Sequence, residues 1–170
     1  MKTLEFKNKS TSLISVNDLN DILEHITYRK IFLLIDSNVY NLYNDFIKSI
    51  PNVIGYYILE AKEQNKTIVE YNKIINEMLI LNITKDVVLI NIGGGITNDM
   101  GGFISSTYKR GLSFINIPTT LIGQIDASIG GKNGLNFNLV KNAIGTIKQP
   151  DKIILCNKFL DTLNVKDITS

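Results

Sequence analysis

The apolar run Asp86-Val87-Val88-Leu89-Ile90-Asn91-Ile92 is followed at once by three glycines, Gly93-Gly94-Gly95, and then by Ile96-Thr97-Asn98-Asp99-Met100-Gly101-Gly102-Phe103. The run reads as a buried strand, and the segment after the glycines reads as the start of a helix. Glycine has no Cβ, so three together leave bare backbone at the strand's carboxyl end. A phosphate can approach such a patch closely, and the N–H groups and dipole of the following helix favour an anion there. The dinucleotide fingerprint G-x-G-x-x-G fails at its third glycine, where Asn98 stands. By itself the junction therefore defines an anion cradle and no particular nucleotide.

The same alternation of strand and helix runs through most of the chain. Leu19, Ile22, Leu23 and Ile26 follow one helix face after Asn17 as a cap, with His25 late in that helix. Ile31-Phe32-Leu33-Leu34-Ile35 is a strand covered on both faces, and a helix after Ser37 carries Val39, Leu42, Tyr43, Phe46, Ile47 and Ile50 on one side. Val53 to Leu59 is a further strand, and Thr67 to Leu81 a third helix with Ile68, Tyr71, Ile74, Ile75, Met78 and Leu79 as its stripe. Ser113 to Ile117 is a short strand. A helix is expected to open at Pro118-Thr119-Thr120, because proline's missing N–H is harmless in a first turn. Residues 128–150, rich in Gly, Asn and Lys, read as an irregular or hairpin segment on the surface. Ile153 to Cys156 makes a last strand, with Asn157 capping a short final helix. The fold class this pattern predicts is α/β, with a mostly parallel sheet flanked by helices.

Composition narrows the function classes. A chain of 170 residues fits one domain with a real core, and a net charge of +2 gives no reason to expect nucleic-acid or membrane partners. No apolar stretch has the length of a membrane span and the first residues do not read as a signal peptide, so a cytoplasmic location is the expectation. The single cysteine, Cys156, excludes an internal disulfide and reads as a small core residue. One His and one Cys cannot make a nitrogen- or sulfur-rich zinc site. Only Arg29 and Arg110 are arginines among 18 basic residues, which hints that a retained arginine serves two-pronged recognition of an oxyanion.

In parallel sheets ligands bind beyond the carboxyl ends of the strands. Asp36 with Asn38, the glycines with Asp99, Thr119 with Thr120, and the Lys132 loop should meet there, although Asp, Asn and Thr are also ordinary cap and turn residues. Thr119, Gly123 and Asp126, at helical spacing, would set hydroxyls, a gap and a carboxylate on one side. Gly130-Gly131-Lys132 lacks the spacing of a nucleotide P-loop. Lys141-Asn142 sets a cation beside an amide in a loop where packing needs neither.

Taken together, several stretches resemble 3-dehydroquinate synthase. Gly93 to Phe103 is similar to that family's glycine-rich motif and Tyr108-Lys109-Arg110-Gly111 to its Y-x-R-G. Pro118-Thr119-Thr120-Leu121, with Asp126-Ala127-Ser128-Ile129-Gly130-Gly131-Lys132-Asn133-Gly134-Leu135-Asn136, is similar to its longest signature. Lys141-Asn142-Ala143-Ile144-Gly145, Gln149-Pro150 and Leu160-Asp161-Thr162-Leu163 are in register, and Glu63-Gln64-Asn65-Lys66 resembles G-E-x-x-K with Lys62 replacing Gly. The resemblance runs from about Ile31 to the end. Cys156 stands where the family usually has Asp, and Asn164 where it usually has Pro.

The resemblance implies a Rossmann-like NAD-binding domain of a shikimate-pathway lyase. Such an enzyme converts a seven-carbon 2-keto sugar-acid phosphate to 3-dehydroquinate with release of phosphate. It implies cofactor contacts from Asp36, Asn38, Glu63, Lys66, Gly94, Gly95, Ile96, Asp99, Thr119, Thr120, Lys141, Phe159 and Thr162. Asp126, Lys132 and Asn142 would face substrate, with Lys132 reaching the cofactor as well. Arg110 would bind substrate phosphate across a homodimer interface. The domain would span residues 1–163, with 164–170 starting a linker toward a helical C-terminal domain that supplies ligands for zinc or cobalt. This chain would then hold the cofactor half of the site, no metal ligand, and no complete activity alone. Two other readings stay open: another sugar-phosphate cyclase, and a nucleotide-binding module without catalysis.

Overall fold

Asn91 and Asn116 occupy the middle of two strands whose other residues are almost all apolar, and they face each other across the strand pair, Asn91 Nδ2 donating to Asn116 Oδ1 at 2.8 Å. This buried bond pins the register of the two central strands in a computed structural model that describes residues 2–6 and 9–162, without the side chains of Phe6, Lys9, Asp126 and Ala127. The strands are β1 (Lys2–Phe6), β2 (Lys9–Val16), β3 (Ile31–Asp36), β4 (Val53–Leu59), β5 (Val88–Gly93), β6 (Phe114–Pro118), β7 (Lys132–Phe137), β8 (Val140–Ile147) and β9 (Lys152–Cys156). Seven of them form one sheet in the order β1-β2-β9-β6-β5-β3-β4, parallel throughout except for the β1–β2 pair, and β7 with β8 makes a separate antiparallel hairpin.

Helices cover both faces of the sheet. On one side lie α1 (Leu19–Leu23), α2 (Ser37–Leu42) and α3 (Asn44–Ser49), whose Ile22, Val39, Phe46 and Ile47 pack on Ile31, Leu33 and Ile35 of β3 and on Ile90 and Ile92 of β5. On the other lie α4 (Ile68–Ile80) and α5 (Gly95–Thr107), whose Ile74, Met78, Met100, Phe103 and Ile104 pack on Phe32, Leu34, Leu89 and Phe114. Alternate residues of each central strand thus feed opposite cores, which is why these strands read as continuous apolar runs. The architecture is Rossmann-like.

Several expectations need correction. The N-terminal hairpin β1–β2 is not anticipated by the apolar runs, because its strands are interleaved with Lys, Thr and Ser; only the alternation ending in the buried Ile14 and Val16 marks it. The cap of α1 is Asp18, in a reciprocal capping box with Asp21, and the helix ends before His25. The helix expected across Val39 to Ile50 breaks at Tyr43 (φ −125°, ψ 32°) into α2 and α3, and Leu42 is exposed. Pro118 closes β6, and the expected helical segment opens just after Thr120, whose C=O accepts from Gln124 N–H at 2.9 Å, before it widens into a π turn over Gly123–Ala127. In that turn Ser128 N–H bonds to Gly123 C=O at 3.1 Å, so the α-helical spacing of Thr119, Gly123 and Asp126 does not apply. Residues 128–150 do form a hairpin, but its inner face is buried: Asn133, Gly134 and Leu135 lie against α5. Cys156 is a fully buried core residue, and burial pushes its thiol pKa up.

Candidate functional site

Chain order places a crevice at the carboxyl ends of β3 and β5. From β3 the chain passes outward to β4, then crosses back through α4 to β5 and proceeds to β6 and β9 on the other side. Neighbouring strands whose connections depart in opposite directions leave their carboxyl ends uncovered between them. Asp36 ends β3 and Gly93 ends β5.

Asp36 is the N-cap of α2, its Oδ1 accepting from Asn38 N–H at 2.8 Å. Burial raises its pKa above the ordinary aspartate value, although backbone N–H bonds from Asn38 and Val39 pull the other way. An asparagine would cap the helix equally well without the desolvation penalty, so capping does not explain the charge. Because the folded-state pKa is the higher one, the contribution of this group to stability is present below the unfolded pKa and is lost as pH rises through the folded value. Asp36→Asn is therefore expected to raise the thermal midpoint at pH 7 and to flatten its pH dependence just above the ordinary aspartate range; thermal melts of both proteins from pH 3 to pH 7 check this, and a lower midpoint for the variant at pH 7 would contradict it.

Gly93 and Gly94 have negative or extended backbone angles, so it is space and not φ that excludes a side chain. A Cβ on Gly93 would meet Thr97 Oγ1 at 2.5 Å and Asp36 Cβ at 3.0 Å; one on Gly94 would meet Thr120 Cγ2 at 3.0 Å. Two of the three glycines thus let Asp36, Thr97 and Thr120 crowd the mouth of α5. Gly94, as the N-cap of α5, offers no side-chain oxygen, and no side chain caps the first-turn N–H groups. Thr119 N–H bonds to Gly93 C=O at 3.0 Å, which ties the end of β6 to the glycines, while Thr120 Oγ1 accepts from Gly123 N–H at 3.1 Å.

The second wall comes from three distant segments. Lys66, only 4% exposed, follows a 3₁₀ turn at Glu63–Asn65. Its ammonium pairs with the Asp99 carboxylate on α5 and donates to Asn142 Oδ1 on β8 at 2.6 Å. Asn136 of β7 accepts from Asn142 N–H at 2.9 Å and donates to Glu63 Oε1 at 2.8 Å, and the Lys141 ammonium lies 3.9 Å from that carboxylate. A cavity of about 540 Å³ opens beside this cluster, lined among others by Asp99, Lys132, Asn133 and Asn142. The exposed Lys132 and the hairpin's polar edge therefore face Asp99 across open space. Lys141 and Asn142 stand on a strand, not in a loop, and Asn142 adopts a left-handed φ of 52°.

Other expected residues lie elsewhere. Arg110 is at the far end of α5, in a turn where Lys109 (φ 47°), Arg110 (φ 67°) and Gly111 (φ 121°) are all left-handed, and it lines a separate basic hollow with Lys85 and Lys109. A helix of 13 residues puts it roughly 20 Å from the glycines, so this chain's own crevice does not include it. Phe159 is a core residue packed edge-on against Tyr43 at 5.0 Å and Phe46 at 6.1 Å, and Thr162 Oγ1 shares a hydrogen bond with Tyr43 Oη at 2.8 Å. Asn38 is exposed beside Asp36, and Ile96 is half-buried against the α4–α5 core. Residues 163–170 and the Asp126 side chain lie outside the described residues. Sequence reasoning missed Asn136 as an organiser; two asparagines within a strand, a residue type that strands disfavour, were the signal that could have found it.

Among the described residues no group of three or more His, Cys, Asp or Glu side chains is placed to hold a metal ion. No described helix is long and apolar enough to cross a membrane.

Fold and site define a Rossmann-like α/β domain with a polar crevice at its topological switch point. Residues 56–170 match the family model for the 3-dehydroquinate synthase N-terminal domain, and the chain belongs to that family. It is 41% identical over 144 residues to 3-dehydroquinate synthase of Alkaliphilus oremlandii, covering 84% of this chain and 40% of that protein. It is 42% identical over 145 residues to the enzyme of that name from Pelagibacter ubique, covering 84% and 39%. The structure of 2-epi-5-epi-valiolone synthase from Streptomyces hygroscopicus subsp. jinggangensis, solved with NAD+ and Zn2+ bound, superposes with a TM-score of 0.85 at 26% identity, covering 98% of this chain and 48% of that one. The chain thus spans about 40% of the length of the curated relatives it matches.

Proposed function

We propose that residues 1–163 form the NAD-binding half of a 3-dehydroquinate synthase, which converts 3-deoxy-D-arabino-heptulosonate 7-phosphate to 3-dehydroquinate with loss of phosphate. The observation that carries this reading is the convergence of an uncapped helix N-terminus, a desolvated carboxylate and a buried lysine on one switch-point crevice. NAD, when bound, supplies transient oxidation of a substrate hydroxyl, which acidifies the neighbouring C–H. The chain's own residues bind and orient. The α5 N–H groups and close-packed glycines receive the pyrophosphate, and the Asp36 carboxylate accepts from ribose hydroxyls. A lysine has three donors, and a ligand oxygen can take the one that Asp99 and Asn142 leave. Lys132 and Asn142 face the cavity in which the acidic substrate is held, and Asp126 is assigned to that substrate by its place in the family's motif alone. Arg110, remote from its own crevice, serves the partner's site in a homodimer, where its fork suits a phosphate. No step is assigned to a metal, whose ligands would come from the remainder of the relatives' length.

Calorimetry with NAD+ on the 170-residue chain is expected to give a Kd weaker than micromolar, because one wall of the cleft lies in that remainder; micromolar or tighter binding would contradict this. The activity itself is tested by extending the chain to its relatives' length and measuring phosphate release with NAD+ and zinc. A folded, metal-loaded protein that released none would sink the proposal. The fold is shared with 2-epi-5-epi-valiolone synthase, so a panel of sugar phosphates separates that reading from this one.

A further inference from the structure

The Lys66–Asn142 contact joins segments far apart in the chain, and neither residue fixes it alone. Asn142 sits near the tip of a hairpin whose turn residues, Asn138 (φ 46°) and Leu139 (φ 67°), are left-handed and exposed. Glu63 sits in a three-residue 3₁₀ turn with no side-chain cap. Asn136 bonds to both. Its Nδ2 donates to Glu63 Oε1 at 2.8 Å and to Glu63 C=O at 3.3 Å, its Oδ1 accepts from Asn142 N–H at 2.9 Å, and its own N–H donates to Lys66 C=O at 2.8 Å. Its backbone also bridges to Thr67, the N-cap of α4.

We propose that Asn136 is a positioning residue of the cofactor site: it touches no ligand, but it sets the hairpin's Lys141-Asn142 edge in register with the Glu63–Lys66 turn. The inference rests on the assignment of this crevice to NAD. Only a primary amide satisfies all of these partners at once, since the group facing Glu63 must donate to two oxygens while the group facing Asn142 must accept. Asparagine is poorly suited to a strand, and here that disadvantage is offset by a bond set no apolar residue could supply.

The test is Asn136→Asp, which keeps the shape and the acceptor for Asn142 but turns an oxygen toward the Glu63 carboxylate and carbonyl. A dispersed, wild-type-like amide spectrum establishes that the variant folds. Loss of one such bond corresponds to about fivefold in an equilibrium. The Asn142 amide is therefore expected to exchange with water about fivefold faster in water-exchange NMR, and NAD+ affinity by amide titration to fall about fivefold or more. Adding Glu63→Gln gives the new Asp a donor to accept from, and should slow Asn142 exchange relative to the single variant. A residue that merely stabilised the fold would show no such reciprocal rescue. Unchanged Asn142 exchange or unchanged NAD+ affinity in Asn136→Asp, or no slowing in the double variant, would overturn the inference while leaving the NAD reading intact. A wild-type chain that gave no response to saturating NAD+ would sink the NAD reading and the role for Asn136 with it.

Discussion

A single methyl group added at Gly101 is expected to destabilise the chain by about 3 kcal/mol, read as a lower midpoint in chemical denaturation. Helix propensity alone predicts the opposite sign, since alanine is favoured over glycine inside a helix by about 1 kcal/mol. What reverses it is Asn91. A Cβ on Gly101 would fall inside van der Waals separation of Asn91 Oδ1, Cγ and Nδ2 together, so rotating the amide about its last bond clears nothing. The Asn91 backbone cannot retreat either, because β5 is hydrogen-bonded to β3 on one side and β6 on the other. The side chain must swing about χ1, which breaks the buried bond to Asn116 and strands both amides where water does not reach. Gly101→Ala combined with Asn91→Ala should be less destabilised than the two single losses add up to, by more than about 1 kcal/mol. A Gly101→Ala chain as stable as the wild type would refute the close-packed seat. Gly102 is crowded in the same way by Asn133, but Asn133 rides on the hairpin, which can lift; Gly102→Ala should loosen the hairpin more than it weakens the sheet.

These two glycines also show how far the fold was legible in the sequence. Periodicity records which face of an element is apolar, and it located β3, β4, β5, β6, β9 and α4 because each has one or two faces that must leave water. It does not record which tertiary neighbour a glycine makes room for. Gly93 and Gly94 read as a space kept for a ligand; on the side where a Cβ would stand, that space is taken by Asp36, Thr97 and Thr120. The break at Tyr43 was illegible because α2 and α3 present a continuous apolar stripe on paper, while the Tyr43 backbone leaves the helical range (φ −125°, ψ 32°). The π turn at Gly123–Ala127 was hidden for a related reason: Gln124 is drawn inward to donate to Pro118 C=O and Cys156 C=O, each at 3.3 Å, a demand made by strands and not by the local sequence. Motif resemblance, which spans residues far apart, marked Lys66, Asp99 and Asn142 for one site, and these three do meet. It marked Arg110 as well, which lies at the other end of α5.

Lys66→Met is expected to have the largest effect of any single change in the crevice. The ammonium is almost fully buried, while the Asp99 side chain retains 22% exposure. Removing one partner of a buried ion pair typically costs about 3–5 kcal/mol, because the remaining charge has been desolvated without compensation. Partial access of water to Asp99 reduces that figure to about 2–3 kcal/mol. Methionine fills the space of the lysine stem, so packing is held nearly constant and the loss reports charge and hydrogen bonding. Asn142 simultaneously loses the donor to its Oδ1, which frees the hairpin edge from the Glu63–Lys66 turn. NAD+ affinity should therefore fall by about tenfold or more, beyond what the stability loss alone produces in a protein that remains folded. Adding Asp99→Asn to Lys66→Met separates the two effects. A neutral amide in place of the carboxylate removes the charge that has lost its Lys66 partner, so denaturation should recover by more than about 1 kcal/mol. NAD+ affinity should stay low, since the tie from the Glu63–Lys66 turn to Asn142 is still missing. Recovery of both together would make Lys66 a structural strut with no part in ligand binding, and recovery of neither would mean that the pair carries no net electrostatic stabilisation.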